Sequence, residues 1–269
     1  MENKSAFGRL ISLVLIATMI GCTWFLLTRN HQTDQVHQDF WLVYHDEASG
    51  QERTASLLRL LEVDNQQWDG ANLTGIDLSN QNLDAANIQR ATMNEATLTG
   101  ASLKQAVFTG TTLEASELSD IDFSFSRLNE TSFLKSTLVA ARFESANLQQ
   151  AALEQVYAPQ CQFQNADLTE SYCLMADFTR SDFANADFTF AHLEAALFVE
   201  CNLTGTRFDG AVLLDSDFSS SNWWRATGIN VDLLEDFKQQ YPPTTAELKA
   251  DFFQWIQETE SAEPIDTPR

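Results

Sequence analysis

"ADFTRSDFANADFTFAHLEAALF", residues 176–198, places a large apolar side chain at every fifth residue: Phe178, Phe183, Phe188, Leu193 and Phe198. A helix face recurs about every 3.6 residues and a strand face every 2, so a period of five belongs to neither and marks an internal repeat. Stepping by five from Leu73 to Trp223 gives 31 positions, and all but Ala158 and Cys173 are Leu, Ile, Met, Phe or Trp. Two residues before each, 27 of the 31 are Ala, Ser, Thr or Cys, the exceptions being Ile76, Gln81, Ile121 and Val156. The unit reads small, polar, large apolar, polar, polar.

A small and a large residue two apart face the same side of an extended segment. Each unit is then one short side of a coil followed by a corner, and four sides close a square of twenty residues. Stacked coils pair their backbones at ~4.8 Å, so the run makes a rod of roughly 37 Å. The large side chains fill its axis and leave no channel. One inward column reads Leu83, Leu103, Phe123, Phe143, Phe163, Phe183, Leu203, Trp223, and another Leu78, Leu98, Leu118, Leu138, Ala158, Phe178, Phe198, Phe218. Where Ala158 gives up volume, Val156 on the same side supplies it, an exchange that cores tolerate.

This pattern resembles the pentapeptide repeat family, and the resemblance covers residues 71–225 without a register break. It implies an all-β solenoid, a right-handed quadrilateral β-helix of pentapeptide repeats. The expected chain adds flanking capping α-helices and an N-terminal transmembrane helix to that solenoid.

The capping helices answer a physical need, since a solenoid leaves open backbone edges at both ends. QERTASLLRLLEVD (51–64) carries Leu57, Leu60 and Leu61 at helical spacing, Trp68 falls on the five-residue register, and a second short helix is expected over 36–46. After the rod, Asn230 is placed as an N-cap and Pro242 and Pro243 as a stop. Thr244 and Glu247 have capping-box spacing ahead of an apolar stripe of Leu248, Phe252, Trp255 and Ile256. That stripe either folds back over the last coil or forms a homodimer through the C-terminal helices, as the resemblance implies from relatives that protect DNA gyrase.

Residues 10–28, LISLVLIATMIGCTWFLLT, carry no charge, and nineteen helical residues match the ~30 Å hydrocarbon thickness. The expectation is an uncleaved single-pass membrane anchor, with lipoprotein processing at Cys22 and ordinary signal cleavage as alternatives. Lys4 and Arg9 precede the span, while Arg29 is followed by Asp34 and Asp39. The positive-inside rule then places the chain in a bacterial inner membrane with the solenoid on the periplasmic side. The organisation reads as anchor 1–29, juxtamembrane linker and N-capping helix 30–69, solenoid 70–225, C-terminal capping helices 226–260 and a disordered tail 261–269.

Charge narrows the partners. The chain has 38 acidic and 16 basic residues, a net charge of −22, of which −12 falls on residues 70–225. Such a surface repels phosphates, which excludes direct nucleic-acid binding. Cys22, Cys161, Cys173 and Cys201 are too few and too scattered for a disulfide framework or a CxxC metal site. The last three take inward positions, and Cys161 and Cys201 sit two coils, ~10 Å, apart, beyond disulfide reach. His31, His37 and His45 do not share a helix face. Neither a metal nor a cofactor is expected.

No catalytic arrangement stands out, because the outward repeat positions make Ser, Thr, Asp and Glu abundant everywhere. His192, the one histidine of the rod, is read as a surface residue. Asp167 and Asp187, with Asn147 and Arg207 around them, are read as a solvated column. What does depart from the pattern is apolar: Leu134, Tyr172, Leu174, Met175, Val212 and Leu214 map to one side and its corner, and Val139, Tyr157, Leu197 and Val199 to the next. A contiguous exposed apolar area marks a partner site. The expected function is a membrane-tethered, non-catalytic protein-binding or scaffold protein with an unnamed protein partner. The alternative implied by the resemblance is an acidic DNA mimic that modulates a type II topoisomerase, gyrase. The expected membrane location and the lack of projecting loops weigh against it.

Overall fold

The structure, a computed structural model, describes residues 35, 37–39, 41–43, 49–62 and 68–261. From Gly70 to Ser220 every fifth residue has a positive φ, most of them not glycine. A non-glycine residue in this region costs of order 1–3 kcal/mol and persists only where its surroundings over-determine it. Two contacts do so here. The amide of the left-handed residue donates to a carbonyl one coil on, as from Arg90 N to Thr109 O at 2.9 Å. The Asp or Asn before the large residue accepts the amide two residues later, as Asp77 does from Ser79, Asp187 from Thr189 and Asp217 from Ser219. The frequent "ADF" of the repeat is thus an Asx turn that sets the corner.

Each side is so short that coils pair through single-residue parallel bridges, from Asn72↔Thr92 to Arg207↔Thr227. Among the described residues no longer strand forms. Twenty residues return the chain to the same side.

The inward residues form one continuous core. Phe143, Phe163 and Phe183 stack with centroids 4.8 Å apart at each step and rings within 6° of parallel. That separation is the coil spacing itself, so each ring rests on the one below. Val156 and Ala158 are both buried. The small inward position also carries hydroxyls and thiols because each can donate to a nearby carbonyl. Thr111 Oγ1 donates to Ile88 O at 2.6 Å, and Cys161 Sγ to Leu138 O at 2.9 Å. Cys161, Cys173 and Cys201 are free and buried, and burial pushes each thiol up to about 12.

Helices close both ends. Helix α1 (Gly50–Glu62) begins with a reciprocal box in which Ser49 N donates to Glu52 Oε2 at 2.8 Å and Glu52 N to Ser49 Oγ at 3.3 Å. It buries Leu57 and Leu60 on the first coil, beside Trp68. The first coil has no predecessor to receive its outward amides. Val43 O accepts from Asn72 N at 3.1 Å and Thr54 Oγ1 from Asp77 N at 3.0 Å. Gly50 makes the close approach possible: a Cβ there would run into the Gly75 carbonyl oxygen and lie 2.9 Å from its carbon.

At the other end a 3-10 turn (Trp223–Arg225) leads to α2 (Val231–Gln240) and α3 (Ala246–Ser261). Asn230 caps α2 by accepting from Asp232 N. Tyr241 OH donates to Ser216 O at 2.6 Å, replacing the amide that a further coil would have brought. Phe252 and Trp255 pack on Trp223 at 6.1 and 6.0 Å. The cap of α3 differs from expectation. Thr245 Oγ1, not Thr244, accepts from Leu248 N at 3.2 Å, because the Thr244 hydroxyl is drawn to Ser220 Oγ at 3.1 Å.

The expected membrane location is corrected. Among the described residues no helix is long and apolar enough to cross a membrane. Residues 10–28, on which the single-pass anchor and the bacterial inner-membrane placement rested, lie outside the described residues, as do Cys22 and the tail from 262.

Candidate functional site

The outward position of each side is fixed by the bridges, so surface ladders follow directly from them. One ladder, the first side, runs Ala152↔Tyr172, Tyr172↔His192 and His192↔Val212. No charged carboxylate or ammonium interrupts it. The His192 ring lies flat on Tyr172, centroids 5.2 Å apart and planes within 5°. At the corner after this side Leu174, Met175 and Leu214 are exposed, Leu214 by 65%.

The next side is less continuous. Its ladder reads Tyr157↔Asp177, Asp177↔Leu197 and Leu197↔Asp217, so each exposed apolar residue alternates with a carboxylate. Val139 and Val199, at the corner after it, are half-buried and three coils apart. Leu134 is also half-buried, and Glu154 stands between it and Leu174 in the corner column. The ten residues therefore separate into a compact set of Tyr172, Leu174, Met175, Val212 and Leu214, and a looser one of Leu134, Val139, Tyr157, Leu197 and Val199.

Two aromatic residues belong on the surface map beside them. Phe125 and Phe190 are exposed by 54% and 60% at left-handed corners. Phe125 stands by itself, three coils before. Phe190 occupies the corner that leads into His192, and its ring covers Gly210, where a Cβ would fall 2.5 Å from Phe190 Cδ1. It extends the first side's apolar area across to the opposite corner. The signal in the sequence was its place in a column with Arg90, Gly110, Glu130, Gln150, Glu170 and Gly210, in which it is the one apolar side chain larger than glycine.

The polar columns hold ordinary ion pairs. Arg207 Nη1 lies 2.8 Å from Asp187 Oδ2, and Arg180 Nε 2.6 Å from Glu200 Oε2. Among the described residues no group of three His, Cys, Asp or Glu converges as a metal site. An open concavity of about 410 Å³ on the third side is lined by Lys104, Asp122 and Arg142 among others. Lys104 Nζ is already paired with Asp122 at 3.2 Å.

The family model described as pentapeptide repeats matches in 8 copies, over residues 69–100, 90–118, 116–155, 146–185, 161–198 and 186–222. No curated protein matches this sequence. Among solved structures, the chain is similar to a trypsin-treated variant of QnrB1, a plasmid-mediated fluoroquinolone resistance protein. The identity is 13% and the TM-score 0.47, over 71% of this chain and 97% of that one. It is similar to HetL, a pentapeptide repeat protein involved in heterocyst differentiation regulation from the cyanobacterium Nostoc sp. strain PCC 7120, at 22% identity and TM-score 0.26 over 62% and 95%. A pentapeptide repeat protein from the Arabidopsis thaliana thylakoid lumen matches at 21% identity and TM-score 0.28 over 40% and 73%.

Proposed function

The chain belongs to the pentapeptide repeat family, and from that premise we propose that it is a non-catalytic protein-binding or scaffold protein that docks a protein on its first side around Tyr172, His192 and Val212. One observation carries the reading. On a chain of net charge −22, this side holds an uninterrupted ladder of exposed rings and aliphatic groups. A solvated surface has no use for such a ladder unless something covers it. The stiff core beneath it presents those groups in fixed positions, which lowers the ordering cost of association. Leu197 and Tyr157 extend the contact around the corner, with Leu134, Val139 and Val199 as its half-buried margin.

The test is a photocrosslinking amino acid at position 174, compared with one at position 162 on the third side, in cells that make the chain. A discrete crosslinked protein at 174 and none at 162 is expected. The same pattern at both positions would sink the reading.

A second reading is an acidic DNA mimic acting on gyrase. Its support is the stacking of Asp167 on Asp187 at the coil spacing and the presence of Asp177 and Asp217 two coils apart on another side, together with the −12 on residues 70–225. The objection drawn from a membrane location no longer stands against it. Purified chain that leaves the supercoiling rate of gyrase unchanged would eliminate it.

A further inference from the structure

The apolar first side is framed by carboxylates. Glu154, Glu194 and Asp215 stand at the corner after it, with His192 Nδ1 3.7 Å from Glu194 Oε1, and Glu170 stands at the corner before it, where Asp209 is already paired with Arg207 at 3.4 Å. Across this side and its two corners, residues 149–155, 169–175, 189–195 and 209–215, there is no lysine or arginine. An apolar strip with anionic margins selects a ligand that is apolar along one line and cationic on both flanks.

Dimensions choose the form of that ligand. A helix is ~10–12 Å across with side chains and rises 5.4 Å per turn, while the coils repeat at ~4.8 Å. A helix lying along the rod axis therefore sets about one apolar side chain on each coil, against Tyr172, His192 and Val212 in turn. Its flanking positions fall over the two carboxylate corners. Resting on the docking reading above, we propose that the occupant of this side is a cationic amphipathic helix of a partner protein, with an i, i+3/i+4, i+7 apolar stripe bordered by Lys and Arg.

Two synthetic peptides of about 18 residues, long enough to hold a helix, test the chemistry on the full-length chain. They share one apolar stripe and differ only in Lys or Glu flanks. By fluorescence anisotropy the Lys peptide should bind at least about tenfold tighter than the Glu peptide and weaken as salt rises. Tyr172→Asp with Leu174→Asp should remove at least about tenfold of that affinity while the melting temperature is unchanged, because both side chains are exposed. Glu194→Lys with Asp215→Lys should erase the preference for the Lys peptide. Glu117→Lys with Glu144→Lys, an equal charge change away from this side, should preserve it. Equal binding of the two peptides, no binding of either, or a preference lost equally to both pairs of reversals overturns the proposal. The crosslinking at position 174 decides the docking reading independently of these peptides.

Discussion

The indole N–H of Trp224 donates to Asp251 Oδ2 at 2.7 Å. The same carboxylate accepts from Arg225 Nε at 3.0 Å, so two adjacent side chains of the last coil grip α3 through one group. Asp251→Ala should loosen α3 at a cost of roughly 1–2 kcal/mol, since the acceptor is charged but partly exposed. The Arg225 guanidinium holds the Asp251 carboxyl below its ordinary 3.8. A depressed folded value contributes stability above the unfolded pKa that is lost as pH falls through the folded one. The protection of α3 amides, taken relative to their intrinsic exchange rate at the same pH, should fall below about pH 4 in the native chain, and exchange should be faster already at pH 7 in Asp251→Ala. Equal exchange in the two chains at pH 7 would contradict the clamp.

The thiols make an alkaline counterpart. Cys161, Cys173 and Cys201 are raised from 9.0 to about 12. A raised folded value contributes stability that is complete below the unfolded pKa and fades as pH climbs to the folded one. Resistance to denaturant should therefore decline between pH 9 and about 12. In a Cys22→Ser background at pH 8, a disulfide reagent should titrate no thiol quickly in the native chain and three after denaturation. Rapid reaction of any thiol in the folded chain would refute their burial.

Phe183 touches Phe163, Phe178, Phe188 and Phe198 with centroids between 4.8 and 5.5 Å. Phe183→Ala should destabilise by about 3–5 kcal/mol. Leu214→Ala, 65% exposed, should change stability by no more than about 0.5 kcal/mol. Chemical denaturation followed by circular dichroism measures both. A small loss at Phe183 would mean that neighbouring coils collapse into the vacated space.

Gly50→Ala sets two effects against each other. Alanine improves helix propensity by up to about 1 kcal/mol. Its Cβ, however, meets Gly75 backbone, with Gly75 Cα 3.4 Å away and the carbonyl closer still, and overpacking against atoms that cannot rotate aside costs about 1–3 kcal/mol. The net expectation is a lower melting temperature and faster exchange in the first coil. A stabilised protein would show that α1 can shift without loss.

The coil was legible because every unit repeats one demand, so each of the inward positions restates the same small and large choice. The surface was legible in part. Tyr172, Leu174 and Leu214 stand out because they break a polar rule that the repeat itself defines. Phe190 escaped because it follows Phe188 by two and reads as more of the same Phe-rich run. Only the column shared with Gly210 shows that it sits at an outward corner. The start of α3 turned on a choice between adjacent threonines, decided by a hydroxyl contact with Ser220 that no local motif contains. The span read over 10–28 rested on length and apolarity alone, and the described helices include none of that kind.

Because twenty residues make one circuit of four sides, chain length and surface direction are geared together. Removing one five-residue unit between Glu154 and Tyr172 would turn everything downstream by a quarter revolution, so that Tyr172 and Val212 would no longer share a bearing with Ala152. Removing twenty would shorten the rod by one storey and leave every bearing intact. Insertions and deletions in this chain therefore act as a dial with four stops, and a partner that reads one side tolerates only the full circuit.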